Sequence, residues 1–288
     1  MLGCYRLNDT GEWERFDVIP KVQSIIWTKR FFGLGSFQLT CDKHSMKEYD
    51  IISHEGNAGI IMRGVQNTRD GKSIYGYDLK GIAYFRKMNA ETISAGTNVE
   101  KTLRKWVTTY LLTGDRAIEG LSLDASLGNE AVFKEDLTIE EGKKLSDVLE
   151  EQGKLYNIGW DVTFDKGKLL FSFLNSRENK ETVFSRKNKT LEFAERVTDV
   201  YDEVNNSGKG IRRREGDTIT EGSDYITGTA THKAVGYILG DMVSVDEFGE
   251  IASHQITEIQ YVYEPNNIIV VPSFGEVKKN IIKKLMEG

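Results

Sequence analysis

The chain has 288 residues, of which 44 are Asp or Glu and 38 are Lys or Arg, so its formal charge is −6. This mildly acidic balance argues against a nucleic-acid-binding surface, because such surfaces are strongly basic. The length suggests about two domains and is enough to bury a real core. Cys4 and Cys41 are too few for a disulfide framework or a zinc pattern, and the sequence leaves open whether they pair.

The composition predicts more strands than helices. The 28 glycines, three prolines and 10% aromatic residues are typical of strands joined by many turns. Residues 1–8 lack the basic and then apolar pattern of a secretion signal, and no stretch approaches the roughly 18 apolar residues of a membrane span. We therefore expect neither feature, and we expect a mainly β fold with an α/β insertion (α+β).

Evenly spaced short strands are predicted in the first 90 residues. This spacing indicates a first small β-barrel-like domain over residues 1–90. The strand-like stretches, separated by turn signals, are 4–7, 15–19, 27–31, 36–41, 49–54, 59–66 and 73–79.

A Gly-x-Gly step, formed by Gly33 and Gly35, lies between two aromatic-rich segments. A phosphate-binding loop would need a helix after the glycines, because the free N–H groups of its first turn hold the anion. Polar and apolar residues instead alternate over 36–41, which is the pattern of a strand. We therefore place the two glycines in a bend that needs a positive φ or a close backbone approach.

Helical periodicity begins in the predicted insertion domain, residues 91–180. Apolar residues recur at helical spacing over 99–111. Thr97 and Glu100 suggest a capping box at the start of this helix, and Gly114 suggests its end.

A second helix is predicted over 139–152, with Thr138 and Glu141 as its capping box. Two strand-like stretches then flank Lys166 and Gly167, which predicts a β-hairpin.

The last third returns to strands, which predicts a linker and a second β-barrel-like domain over residues 181–277. The strand-like stretches are 224–231, 241–248, 253–263 and 267–274. The polar, glycine-rich stretch 203–224 predicts a mobile loop, and residues 278–288 predict a closing amphipathic helix.

Two segments of the β regions resemble each other. Residues 48–65 and 239–259 share a turn, an Asp, an apolar strand, a polar hairpin and a second apolar strand. Asp50 and Asp241 occupy the same relative place. The similarity suggests that the chain carries one small β unit twice, although any β-hairpin could show such a pattern.

Catalytic and metal-binding patterns are scarce. The histidines are His44, His54, His232 and His254, and they show no zinc-ligand spacing. No Gly-x-Ser-x-Gly elbow is present. We therefore expect no cofactor and no metal.

Paired carboxylates leave one enzymatic option open, since glycoside hydrolysis needs only two acids that meet in space. The candidates are Asp161 with Asp165, and Asp246 with Glu247 and Glu250, although such pairs arise by chance among 44 acidic residues. The basic cluster over 208–216 either grips an anion or is a solvated loop. The tryptophans suit a core or a subunit contact; they are Trp13, Trp27, Trp106 and Trp160.

The order of these segments resembles the tail-tip or baseplate hub proteins of long-tailed phages and prophages, including the N-terminal part of tail-associated lysins. The resemblance rests on "SIIWTKRFFGLGSFQL" (24–39), the strands up to residue 88, the linker 179–210 and the closing region 234–276. Its most characteristic residues are Trp27, Gly33, Gly35, Phe37, Gly240, Asp241, Pro272, Phe274 and Gly275.

The resemblance implies a homotrimer in which two similar barrels per chain form a pseudo-six-fold ring. Such a ring joins the tail tube to the distal tip or fibre and lets DNA pass without specific binding. The implied partners are distal tail or tail-tube proteins, the tape-measure protein and a tip or fibre protein. The implied location is the virion tail tip, after synthesis in the host cytoplasm, and no lytic activity is implied.

Two other functions remain open at this point. One is a cell-wall hydrolase that uses a carboxylate pair. The other is a carbohydrate-binding β module, for which the hints are exposed aromatic residues and the basic loop "RRREG" (212–216).

Overall fold

Strands make up most of the fold in a computed structural model of the chain. The structure describes residues 1–20, 22–41, 45–67, 71–185, 193–197, 200–202, 219–221, 225–229, 237–247, 250–265 and 267–274. Several predicted features lie outside these residues: the closing helix 278–288, Gly275, the basic cluster 208–216, His44, His232 and most of the loop 203–224.

The elements of the first region are mostly strands. They are β1 (Leu2–Leu7), β2 (Trp13–Ile19), β3 (Ser24–Arg30), β4 (Ser36–Cys41), β5 (Ile51–His54), β6 (Asn57–Asn67), β7 (Gly71–Asp78) and the short helix α1 (Gly81–Tyr84).

The middle region contains the two longer helices among the described residues. Its elements are β8 (Glu91–Ile93), α2 (Val99–Val107), a wider π-type turn over Thr108–Leu112, β9 (Leu121–Leu123), β10 (Leu137–Ile139), α3 (Leu145–Tyr156), β11 (Ile158–Asp165) and β12 (Lys168–Asn175).

The elements that the structure describes in the last region are strands. They are β13 (Arg177–Ser185), β14 (Phe193–Val197), β15 (Val200–Asp202), β16 (Ile219–Glu221), β17 (Tyr225–Thr229), β18 (Asp241–Glu247), β19 (Glu250–Glu264) and β20 (Asn267–Phe274).

One sheet of 11 strands contains strands from both β regions. Its order is β13-β18-β19-β3-β4-β7-β6-β5-β1-β2, and β20 pairs with β19. The mainly β prediction is confirmed. Two separate barrel-like domains are not seen, because this sheet does not close into a barrel within the described residues. The long strand β19 explains the continuity: its first half pairs with β18, and its second half pairs with β3 of the first region.

Three apolar clusters form the core. The cluster between the middle region and the first β region includes Trp106 and Trp160. A second cluster surrounds Trp27 within the first region, and a third surrounds Phe274 in the last region. Trp27, Trp106 and Trp160 are therefore core residues.

Helix α2 buries the predicted apolar stripe, but its cap differs from the prediction. The side chain of Asn98, not Thr97, accepts the N–H of Lys101. Glu100 is buried and accepts three hydrogen bonds from the loop after β9, donated by the Ser126 hydroxyl and the N–H groups of Leu127 and Asn129. Because the Glu100 carboxylate accepts these hydrogen bonds from the loop, it does not form the capping box that the sequence predicted.

Helix α3 begins later than predicted. Thr138 pairs with Thr92 in the β8–β10 ladder, so it cannot cap a helix, and the helix begins at Leu145 without a side-chain cap. The predicted hairpin at Lys166 and Gly167 is present. Both residues have positive φ, 48° and 85°, as a tight two-residue β-turn requires.

Candidate functional site

The bend between β3 and β4 closes around a buried cation. The ammonium group of Lys80 donates to the carbonyl oxygens of Arg30 at 2.5 Å and Gly33 at 3.1 Å. It also lies 4.7 Å from the ring of Trp160, a distance that suits a cation–π contact. The bend therefore turns carbonyl oxygens toward a cation, whereas a phosphate site would turn N–H groups toward an anion.

Close approach, not positive φ, explains the two glycines of the bend. Neither Gly33 nor Gly35 is among the residues with positive φ. A Cβ on Gly35 would lie 2.1 Å from the carbonyl oxygen of Thr28 and 2.5 Å from Oδ2 of Asp78. A Cβ on Gly33 would lie 2.5 Å from Oε2 of Glu150. Only glycine fits both positions without displacing neighbours.

Two buried charges lie beside this bend. Burial raises the pKa of Asp78 to about 6, although Lys80 and Lys29 attract its charge. Burial lowers the pKa of Lys80 to about 8 despite the attraction of Asp78. Lys29 on β3 pairs with Asp161 on β11 at 2.6 Å. These charged groups thereby link the first β region to the middle region.

The corner before β5 is built on Asp50, which is 3% exposed. Arg6 donates from Nε to Oδ1 at 2.8 Å and from Nη2 to Oδ2 at 2.6 Å. The N–H of Lys47 donates to Oδ2 at 2.7 Å. The N–H of Asp50 returns to the Lys47 carbonyl at 3.2 Å, and Tyr49 between them has φ 70°. We call this arrangement the first corner.

The corner before β18 repeats that arrangement on Asp241, which is fully buried. Arg177 donates from Nε to Oδ1 at 2.9 Å and from Nη2 to Oδ2 at 2.8 Å. The N–H of Ile238 donates to Oδ2 at 3.0 Å, and the Asp241 N–H returns to the Ile238 carbonyl at 3.2 Å. Gly240 has φ 93°. We call this the second corner.

Hydrogen bonds hold the pKa of Asp241 below its usual value although burial opposes them. The donors are the side chains of Arg177 and Asn179 and the backbone N–H of Ile238. The Asp241 carboxylate therefore stays ionised and stabilises the second corner, and it is a poor general acid.

The similarity extends beyond the corners into the strands that follow. The N–H of Tyr49 donates to the Ile61 carbonyl at 2.8 Å, and the N–H of Gly240 donates to the Ile256 carbonyl at 2.8 Å. One residue later each strand has a register shift, at Met62 in β6 and at Thr257 in β19. Residues 47–76 and 238–274 thus form two meanders with the same turn, ion pair and β-bulge.

The residues that carry the family resemblance form two groups. Trp27 and Phe37 face each other on β3 and β4, with ring centroids 4.9 Å apart, next to the bend with Gly33 and Gly35. The others lie in the last region: Gly240 and Asp241 at the second corner, Pro272 opposite Ile259, and Phe274 against Phe184. The ring of Phe31 lies against Gly240 and connects the groups.

One candidate carboxylate pair, Asp161 with Asp165, does not have the spacing of an acid–base site. Asp161 pairs with Lys29 at 2.6 Å. Asp165 lies four residues further along β11, about 13 Å away at the usual strand rise, whereas glycosidases keep their two carboxyl groups within roughly 5–9.5 Å. Asp246 lies opposite Ile251, and Glu247 lies opposite Glu250 at the end of the β18–β19 hairpin.

The described histidines and the cysteines have structural surroundings. The ring of His54 is buried against Tyr263, with centroids 4.8 Å apart, and burial lowers the pKa of His254. No disulfide joins Cys4 and Cys41, and burial raises the pKa of Cys4 to about 12. Within the described part of the chain, no three His, Cys, Asp or Glu side chains are placed to hold a metal ion.

Sequence reasoning missed the partners of the important residues. Lys80 in the bend, and Arg6 and Arg177 at the corners, carried no local pattern. Arg6 lies 44 residues from Asp50, and Arg177 lies 64 residues from Asp241. The repeated Asp before an apolar strand was the only available signal.

Comparison with known proteins relates this geometry to solved structures. No family model and no curated protein matches the chain. The prophage tail protein gp18 from Listeria monocytogenes EGD-e has 13% identity and a TM-score of 0.60, with 100% of this chain and 99% of that chain covered. A tail protein from Neisseria meningitidis MC58 has 13% identity and a TM-score of 0.57, with 96% and 97% covered. The chain has the fold of phage tail proteins.

The tail-protein fold also matches a component of a virion baseplate. A chain of the p2 virion baseplate in its activated conformation has 9% identity and a TM-score of 0.54, with 97% of this chain and 100% of that chain covered. These matches extend over almost the whole length of both chains. Among the described residues, no helix has the length and apolar character to cross a membrane.

Proposed function

We propose that this chain is a hub protein of a phage or prophage tail tip or baseplate, acting as a homotrimer. The observation that carries the proposal is the repeated corner and meander, residues 47–76 and 238–274, within one continuous sheet. Two equivalent units per chain let three chains supply six equivalent positions around an axis. Such a ring matches a six-fold tube on one side and a three-fold tip on the other.

The proposed partners follow from this symmetry. The six-fold face receives tail-tube or distal tail proteins and the tape-measure protein, and the three-fold face receives the tip or fibre protein. The match to a virion baseplate chain supports a location in the virion tail. The net charge of −6 suits a channel through which DNA slides, because Lys and Arg would bind its phosphates.

Each of four segments has its own role in the proposed hub. Residues 1–90 and 181–277 each form one ring unit, which becomes barrel-like in the assembled ring. Residues 91–180 form an insertion on the outside of the first unit, and residues 278–288 form a terminal contact helix.

The proposal assigns no catalysis to the chain. Asp161 is neutralised by Lys29, and Asp241 is held ionised by Arg177. The binding energy between copies and with partners comes instead from the burial of apolar surface and from complementary shape at wide contacts.

Electron microscopy of the tails that carry this chain tests the proposal directly. Three copies around a central channel are expected, and one isolated copy per tail would contradict the hub function. Zymography on purified peptidoglycan provides a separate check. Clearing that disappears when either member of the candidate pair is changed, by Asp161→Asn or Asp165→Asn, would favour a hydrolase instead.

A further inference from the structure

The second half of β6 has one open edge. Residues 57–60 pair with β5 on one side and, in part, with β7 on the other, whereas Arg63–Asn67 pairs only with β7 among the described residues. Arg63 and Gly64 are exposed, and a Cβ on Gly64 would have nothing within 4 Å. An exposed edge of this kind presents unpaired N–H and C=O groups to any matching strand.

Exposed aromatic rings lie at one end of this edge. Tyr49 is 57% exposed and Phe85 is 40% exposed, and their ring centroids are 5.9 Å apart. The N–H of Tyr49 bonds to Ile61, immediately before the open stretch begins. The aromatic pair therefore offers apolar contact area beside the unpaired backbone.

The equivalent edge in the second meander is covered. Strands β3 and β20 pair with the same residues of β19, from Glu258 to Tyr263, so they lie on opposite edges. The N–H of Phe31, just after β3, donates to the Thr257 carbonyl at 2.8 Å, and its ring lies against Gly240. Strand β3 thus follows β18 along one edge of β19.

Superposing the two register shifts, at Met62 and Thr257, places Arg63–Asn67 where β19 receives β3. Arg63 then corresponds to Glu258, which forms an ion pair with Arg30 of β3 at 2.7 Å. In the part of the chain that the structure describes, the first meander therefore lacks the strand that completes the second one.

The strand that corresponds to β3 in the last region is β14. Strand β3 pairs with β4, which pairs with β7. In the same order β14 pairs with β17, which lies alongside β20. Within the described residues β14 pairs only with β17. The neighbour orders β3-β4-β7-β6 and β14-β17-β20-β19 therefore correspond, except that β17 lies close to β20 without a hydrogen-bonded ladder. Within the described residues each chain has one open edge on β6 and one on β14.

We propose that β14 of one copy adds in antiparallel orientation to Arg63–Asn67 of β6 in a second copy. This contact repeats between chains the β3–β19 contact that already exists within the chain. It is heterologous, so its repetition closes a ring of three when each copy is rotated by a third of a turn relative to the previous one. The inference rests on the proposed hub function and adds the strands through which the copies join.

Hydrogen-bond direction identifies the position to change. The carbonyl of Thr257 points to β3, and alternation along β19 then points Ile259 to β3 as well. Gly64 corresponds to Ile259, so its N–H points out of the open edge. Gly64→Pro removes this donor, whereas Gly64→Ala keeps it.

Photo-crosslinking of purified full-length chain tests the joint. A benzoylphenylalanine at position 64 is activated in an equal mixture of light and ¹⁵N-labelled copies at high concentration. We expect mixed-isotope products between position 64 and residues 193–197, and none from the same probe at exposed Leu155. Products to another segment, or no products between copies, would overturn the joint. The copy number seen in tails decides the hub function separately.

Sedimentation of the two Gly64 variants gives a second readout. We expect Gly64→Pro to weaken self-association at least about tenfold while thermal melting still shows a folded chain, and Gly64→Ala to remain within about twofold of the parent. Equal association of both variants would contradict the pairing. If the proline variant fails to fold, the crosslinking result alone decides.

Discussion

The ring of Phe31 occupies the space that a side chain on Gly240 would need. A Cβ on Gly240 would lie 2.2 Å from Cε2 of Phe31. Phe31 follows β3 in the first region, and Gly240 belongs to the second corner in the last region. The backbone N–H of Trp160 also donates to the Phe31 carbonyl at 3.1 Å. All three regions of the chain therefore meet at Phe31.

Replacing Gly240 is expected to be more harmful than replacing other glycines with positive φ. Gly240→Ala adds a clash with Phe31 to the cost of φ +93°, so we expect a loss of about 3 kcal/mol in the free energy of unfolding. Gly128→Ala is the matched control, because φ is +71° there but nothing lies within 4 Å, and we expect about 1 kcal/mol. Urea unfolding measures both, and equal losses would contradict the packing role of Phe31.

The bend glycine Gly35 is expected to be sensitive without any positive φ. Gly35→Val places a Cβ 2.1 Å from the Thr28 carbonyl, so β3 or Asp78 must move, at a cost of about 3 kcal/mol. The control is Gly64→Val, where open space surrounds the new side chain. Thermal melting of both variants is the measurement. A Gly35→Val chain that melts like the parent would show that the bend adapts freely.

The buried carboxyl group of Asp78 is expected to make the chain less stable as the pH rises from about 4 to 6. Its pKa rises from 3.8 unfolded to about 6 folded, so the folded state keeps the proton longer and loses stability as that proton leaves. The full difference corresponds to about 3 kcal/mol. Asp78→Asn should abolish this slope, as measured by urea unfolding at each pH. A slope that persists in Asp78→Asn would assign it to other groups.

The opposite pH dependence is expected for Asp241. Its folded pKa lies below 3.8. Its contribution to the free energy of unfolding is therefore complete above the unfolded pKa and disappears as the pH falls through the folded pKa. Asp241→Asn should lower stability at neutral pH and reduce the acid loss below pH 4. The exposed Glu178→Gln, also on the β13 side of the corner, is the control and should change neither. Unfolding midpoints at pH 7 and in acid distinguish the two variants.

Local patterns predicted most elements of this chain. The alternation over 36–41 predicted β4, the apolar stripe over 99–111 predicted α2, and the glycine at 167 predicted a hairpin. These features depend on neighbours within a few residues, so the sequence is sufficient to show them. Helix caps were less predictable, since Glu100 accepts hydrogen bonds from a loop and Thr138 pairs within a strand ladder.

The amino-acid sequence by itself determined the mainly β class, the position of the helical insertion and the repeated Asp50 and Asp241. Only the tertiary structure decided that each Asp meets an Arg, that Lys80 fills the glycine bend, and that β3 pairs with β19 instead of closing a barrel. The physical reason is distance along the chain. Backbone propensity acts between near neighbours, whereas these contacts join segments whose meeting depends on which strand edges and buried charges the folded sheet brings together.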